Sequence, residues 1–253
     1  MRHKPLLALV PLTAIVSCAV SQPAPSTQGA VDPRYTVGEL LDADDFCHGT
    51  DRWRAEHDAP IAISANDGTL DVQSPAGLTL WFKREFTGPV QVEYEATVVM
   101  AGGAHDRLSD LNCFWMARDA RSPDELFATE RSGRFADYNA LLTYYASIGG
   151  NGNTTTRFRR YIGSTTTRPL DPAHDLRDAR HLLEPNRPYQ IRLVAAGGLI
   201  QFWRDGEKLF ELIDPEPYTR GHLALRTVTS HLRVRNFRVH RLHLTRPLEG
   251  VTR

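Results

Sequence analysis
The run Gly88-Pro89-Val90-Gln91-Val92-Glu93-Tyr94-Glu95-Ala96-Thr97-Val98 decides the class of fold. After the Gly-Pro break, Val90, Val92, Tyr94, Ala96 and Val98 take alternate positions, with Gln91, Glu93, Glu95 and Thr97 between them. Successive side chains of a strand point to opposite faces, so this pattern predicts a strand with one buried and one wet face. The same pattern recurs on both sides of it. Upstream, Ile61 and Ile63 lead into Asn66-Asp67-Gly68, and Leu70 and Val72 resume the alternation, which predicts a hairpin about an Asp-Gly turn. Leu78, Leu80, Phe82 and Phe86 then alternate with Thr79, Trp81, Lys83 and Glu85. Downstream, Tyr189, Ile191 and Leu193 face Ile200 and Phe202 across Ala196-Gly197-Gly198. Asp205-Gly206 turns the chain into a strand over 208–212, and two more run over 223–227 and 232–242. The clearest helix signal is Ser122-Pro123-Asp124-Glu125, with Ser as N-cap, Pro at N1 and Glu at N3. Many strands and one or two short helices predict an all-β sandwich of the jelly-roll kind. Long loops fall near 100–110, 119–140 and 163–187, and loops of that length on a β scaffold usually carry function.

The chain begins like an exported protein. Arg2, His3 and Lys4 precede an apolar stretch over 5–16, which is shorter than the roughly 20 residues a membrane-spanning helix needs. It ends in Ile15-Val16-Ser17-Cys18, which resembles a bacterial lipobox, with Cys18 as the lipidated residue. The run SQPAPSTQGAVDP over 21–33 then reads as a tether without hydrophobic periodicity. The expected organisation is a signal peptide over 1–17, a lipidated tether over 18–40 and one domain over 41–246. The expected location is the extracytoplasmic side of the cell envelope, with the membrane as a partner through the anchor only.

Thirty basic and thirty acidic residues leave no net charge, so no overall field favours nucleic acid. All but three of the basic residues are arginines, whose planar forks suit carboxylates. With Cys18 assigned to the anchor, Cys47 and Cys113 remain, open between a disulfide and two thiols. No CxxC or HExxH pattern points to zinc, and no internal repeat of fixed period is present. A monomer without a cofactor is expected.

The closing strands, with Phe202-Trp203-Arg204-Asp205-Gly206, Leu225-Arg226-Thr227 and Asn236-Phe237-Arg238-Val239, resemble those of concanavalin A-like lectin and glucanase jelly rolls. The central block is more distinctive: Asp110-Leu111-Asn112-Cys113-Phe114-Trp115-Met116-Ala117, then Tyr144-Tyr145, then Gly149 through Tyr161. Together they are similar to the bacterial YesU-type family of largely unknown function. The resemblance covers roughly residues 44–243. It implies a concanavalin A-like jelly roll and an association with polysaccharide breakdown. Calcium is common in that fold class, but no Asp/Asn run here is assigned to it, and no metal ligand is named.

Period two along 154–162 places Phe158 and Ile162 on one face, with Arg160 between them, and Arg157, Arg159 and Tyr161 on the other. Arginines beside a tyrosine make a poor core and a good surface for an acidic sugar, since guanidinium forks match carboxylates bidentately. Asn151 and Asn153, among glycines, add amide groups, while Tyr144 and Tyr145 add hydroxyls and ring faces. Asn112 is an amide in an apolar run and needs partners that a ligand can supply. His231, between the last two strands, is the candidate general base, because imidazole titrates near neutral pH. Glu93 and Glu95 are the nearest match to a glucanase carboxylate set, but their alternation with core residues puts them on an outward face. The expected function is a surface-tethered protein acting on a uronate-containing glycan. In its lyase form, Arg157 and Arg159 neutralise the carboxylate, Tyr161 or Tyr145 is the acid and His231 the base. The alternatives are a non-catalytic, lectin-like module using the same residues and an interaction protein of a polysaccharide-uptake complex.

Overall fold
The computed structural model describes residues 32–245. Cys18, the signal peptide and most of the tether lie outside them. In chain order the strands are β1 (Tyr35–Asp44), β2 (Trp53–His57), β3 (Ala62–Asn66), β4 (Thr69–Ser74), β5 (Leu78–Phe82), β6 (Phe86–Thr87), β7 (Val90–Val98) and β8 (Leu111–Asp119). They continue with β9 (Leu141–Gly149), β10 (Thr155–Ile162), β11 (Asp175–Leu176), β12 (Pro188–Ala196), β13 (Leu199–Arg204), β14 (Glu207–Ile213), β15 (Arg220–Thr227) and β16 (Ser230–Leu244). Two antiparallel sheets face each other. The first runs β14-β13-β12-β7-β16-β4-β3, with β1 also pairing β16, and the second runs β11-β10-β9-β8-β15-β5-β2, with β6 beside β15. The jelly-roll sandwich expected from the alternation is the observed fold.

β7 lies inside the first sheet, as its pattern predicts. Val92, Tyr94, Ala96 and Val98 enter the main core between the sheets. Glu93 and Glu95 point out and are taken by Arg192 at 3.0 Å and Gln190 at 2.8 Å on neighbouring β12. The β3–β4 hairpin turns at Asp67 and Gly68, both with positive φ, as a tight Asp-Gly turn requires. β5 departs from the pattern: all five of its residues are buried. Leu78, Leu80 and Phe82 join the main core, while Trp81 enters a second apolar cluster with Phe114, Leu126, Tyr138, Tyr145 and Tyr161. That cluster sits on the outer face of the second sheet, and the loop after β8 supplies its lid.

Two sequence expectations need correction, and one question left open is answered. The capping box at Ser122 opens no α-helix. Only a three-residue 3₁₀ turn, Leu126–Ala128, forms, with Glu125 at its N-cap and no side-chain cap bond. Asp119 instead holds this segment, accepting from the Arg121 N–H and guanidinium and from Arg131. Cys113 is a free thiol buried in the main core, its pKa pushed up to about 12 by burial, so no bridge joins it to Cys47. Finally, the folded domain reaches back beyond residue 41, because β1 starts at Tyr35 and pairs with the end of β16.

The residues just before β1 are tied in as well. Arg34 bridges Asp32 and Glu211, each at 2.6 Å. The Arg34 guanidinium brings the Glu211 pKa down from 4.5 to about 2, against the opposing effect of burial. Asp32 is lowered too, again chiefly by its hydrogen bonds from Arg34. A depressed carboxylate stabilises the fold above its unfolded pKa and loses that contribution as pH falls through the folded value. Acid titration of the melting temperature should therefore show a decline between about pH 4.5 and 2. Glu211→Gln should flatten that decline, and an unchanged acid limb would refute the assignment.

Candidate functional site
The register of the second sheet assembles the site. Antiparallel pairing places Asn112 of β8 beside Arg226 of β15 and Ser147 of β9, and Ser147 beside Arg157 of β10. Two residues along each strand the side chains return to the same face. There Phe114 pairs with Tyr145 and Tyr145 with Arg159. One lane across the sheet is thus polar and the next mainly aromatic. The aromatic lane is covered by the loop after β8. The polar end stays open as a cavity of about 360 Å³.

β10 separates its faces as predicted. Phe158 is buried in the main core, whereas Arg157 and Arg159 line the cavity. Asn112, Tyr145 and Asn151 line it too. The turn from β9 to β10 carries four consecutive or near-consecutive positive φ values, at Gly149, Asn151, Gly152 and Asn153. Gly149 has no alternative there, because a Cβ would meet Leu183 Cδ1 at 2.4 Å. Asn151 lies on the cavity side and donates to Thr155 Oγ1 at 3.2 Å. Asn153 turns away, its amide donating to the Leu183 carbonyl at 2.9 Å and accepting from the Leu183 N–H at 2.8 Å. It thereby fastens the 163–187 loop to the turn.

Three other candidates are not in the cavity lining. Tyr144 is one residue from Tyr145 and so faces the other way, between the sheets. Its hydroxyl donates to Asp214 at 2.7 Å, and Arg160 takes the same carboxylate at 2.7 Å. Tyr161 is on the cavity side of β10 but is buried in the second cluster, 5.6 Å from the ring of Tyr145. His231 lies in the first sheet, between Asp71 at 3.0 Å and Asp106 at 3.3 Å. Asp106 accepts from the N–H groups of Ala101 and Gly103, so this histidine braces the loop that carries Arg107. None of the described histidines lines the cavity.

The loops bring in residues that alternation does not reveal. Arg107 and Asp110 come from the loop before β8, Phe135 from the loop after it and Arg168 from the loop after β10. For Arg107, Phe135 and Arg168 the only sequence signal is position inside long loops, while Asp110 also opens the distinctive central block. Asp110 is held by the Ser109 hydroxyl at 2.6 Å and Arg107 at 3.3 Å. Arg157 is spent on Asp175, at 2.7 and 3.1 Å. Arg159 donates to the backbone carbonyls of Arg168 and Pro169, and Arg168 stacks on Phe135 at 4.8 Å. Neither Arg159 nor Arg168 has a carboxylate partner among the described residues. Burial lowers the pKa of Arg159 and raises that of Tyr145 well above the usual phenol range, so Tyr145 stays protonated at neutral pH. No group of three or more His, Cys, Asp or Glu among the described residues is placed to hold a metal ion.

Residues 72–237 match the family model described as a domain of unknown function, DUF6250. The chain belongs to the DUF6250 family. The matched stretch of this DUF6250 chain contains every cavity residue named above. No curated protein matches the sequence. Among solved structures, a Bacillus subtilis protein of unknown function with a galectin-like fold aligns with a TM-score of 0.66 at 20% identity, over 84% of this chain and 100% of that one. An endo-β-1,3-glucanase from Pyrococcus furiosus gives 0.54 at 11% identity, over 84% and 100%. The carbohydrate-binding module CBM66 from Bacillus subtilis gives 0.50 at 9%, over 75% and 95%. At such identities the likeness is one of fold.

Proposed function
We propose that the DUF6250 domain of this chain binds an acidic glycan, with a carboxylate of the sugar held by Arg159 and Arg168. The observation that carries this reading is the presence of two guanidinium groups without carboxylate partners in a concave, half-enclosed cavity. Charge-assisted bonds to carboxylates are the strongest use for such groups, and Tyr145 and Phe135 offer ring faces for a sugar. The sheet sandwich shared with a glucanase and a carbohydrate-binding module supports a carbohydrate ligand. With Cys18 lipidated, the domain would present this cavity at the cell envelope.

Binding is favoured over bond cleavage by the placement of His231, the candidate base, in the other sheet against Asp71 and Asp106. A lyase reading draws on Tyr145, whose protonated phenol sits in register with Arg159 and could serve as the acid. Incubation with polygalacturonate, followed by ultraviolet absorbance of an unsaturated product, separates the two.

Arg159→Ala should weaken binding of acidic oligosaccharides roughly ten- to a hundredfold, the loss of about 1.5–3 kcal/mol expected for a charge-assisted bond. Calorimetric titration with acidic and neutral glycans measures it. Affinity equal to that of the parent for every acidic glycan would reduce this face to a solvated surface.

A further inference from the structure
Asn112 and Arg226 are cross-strand neighbours on β8 and β15, 3% and 1% exposed. Both carry hydrogen-bonding atoms that nothing in the described chain uses. Asn112 Oδ1 accepts no bond, and Arg226 Nε and Nη2 donate none. The remaining corner of the guanidinium is spent on the side away from Asn112. Nη1 donates to Thr79 Oγ1 at 2.6 Å and to the Gly133 carbonyl at 3.1 Å. Thr79 is the neighbour of Arg226 on β5, across β15 from Asn112. Asn112 lines the cavity, and so does Phe135, whose ring lies 4.8 Å from the guanidinium of Arg226. Buried polar atoms are nearly always paired, so a free acceptor beside free donors at a cavity wall marks a place for one more group.

We propose that Asn112, backed by Arg226, reads a hydroxyl of the bound acid, so that the ligand is a hydroxy acid of the uronate kind rather than an acidic group alone. This deepens the acidic-glycan reading and rests on it. A hydroxyl donates to a carbonyl oxygen and accepts from a guanidinium at once, whereas an ionised carboxylate only accepts and cannot satisfy Asn112 Oδ1. The acid group sits at Arg159, two strands away. With the further two residues from Arg157 to Arg159 along β10, that is a Cα span of about 12 Å at the usual strand spacing, which a sugar ring and an extended arginine can cover.

The test is a nuclear magnetic resonance titration of the protein with D-galacturonate, D-glucuronate and tetrahydropyran-2-carboxylate, a ring acid without hydroxyls. At least one uronate should bind about tenfold or more tightly than the bare ring acid, because a site built around a hydroxyl penalises an analogue that lacks it. Asn112→Leu should abolish that preference, leave the affinity for the bare acid unchanged and not lower the melting temperature. Asn112→Asp keeps the acceptor and should keep the preference, while both acids bind more weakly through repulsion. Should the leucine variant fail to fold, loss of the preference in the aspartate variant overturns the proposal. So does retention of the full preference by Asn112→Leu. Equal binding of all three acids by the parent protein overturns the hydroxyl subsite but leaves the acidic-glycan reading standing. If none of the three binds, both readings fall.

Discussion
Phe158→Ala should destabilise the domain by about 3–5 kcal/mol, the usual cost of emptying a buried phenylalanine site. The ring packs against Trp115 and Tyr144 in its own sheet and against Phe210 of β14 in the other, with centroids 5.8, 6.4 and 6.0 Å away. Removing it therefore opens a hole where the two sheets meet, and neighbouring aromatic rings held by other contacts can only partly fill it. For a domain of this size each kcal/mol is worth roughly 2–4 °C, so the melting temperature should fall by about 6–20 °C. The next residue gives the control. Arg159 leaves from the opposite face, so Arg159→Ala should change ligand affinity with little effect on melting. If the two variants behave alike, the assignment of faces along β10 is wrong.

Arg131→Met should cost about 3–5 kcal/mol as well, for an electrostatic reason. Arg131 is fully buried and bridges Glu56 at 2.8 Å and Asp119 at 3.0 Å, both of them buried. It also donates to the Leu126 carbonyl at 3.1 Å. Glu56 in turn accepts from the indole of Trp81 at 2.8 Å and the hydroxyl of Tyr138 at 2.9 Å. A methionine fills much of the space but leaves Glu56 buried without its cation and Asp119 with Arg121 as its remaining one, at 2.7 Å, and removing one partner is the costly way to break a buried pair. The loss should be local before it is global. Hydrogen exchange should rise first over 120–140, the loop that covers Trp81 and supplies Phe135 to the cavity wall. Uniform exchange across both sheets would show that the cluster is part of the main cooperative unit instead.

Much of the site was legible in β10 itself. The alternation through Arg157, Phe158, Arg159, Arg160 and Tyr161 separates the two faces of β10 without any tertiary knowledge, whereas the register of β8, β9 and β10 is what brings Asn112 and Tyr145 to the face of Arg157 and Arg159. His231 and Tyr144 were drawn toward the site by chemical type alone. A histidine near neutral pH and a tyrosine beside Tyr145 are reasonable candidates until pairing places one in the other sheet and turns the other inward. Asn153 shows a third kind of difference, because its side chain holds a loop in place instead of facing the cavity.

Alternation and turn residues were enough for an all-β sandwich, for its long loops and for many of its strands, though not for β1, which starts in the stretch expected as tether. Those properties are local: turn residues and a period of two act over a few neighbours. Tertiary structure alone decided which outward face meets water. Trp81, Phe114 and Tyr161 are all outward by parity, yet the loop over 120–140 covers them, while Asn112, Tyr145 and Arg159 remain at an open cavity. It also decided that Arg107, Phe135 and Arg168, scattered through three loops, meet at one wall. Strand parity carries no information about which strands become neighbours or where a loop folds back. Those depend on register between distant segments and on buried partners such as Arg131 with Glu56, which no short window of sequence contains.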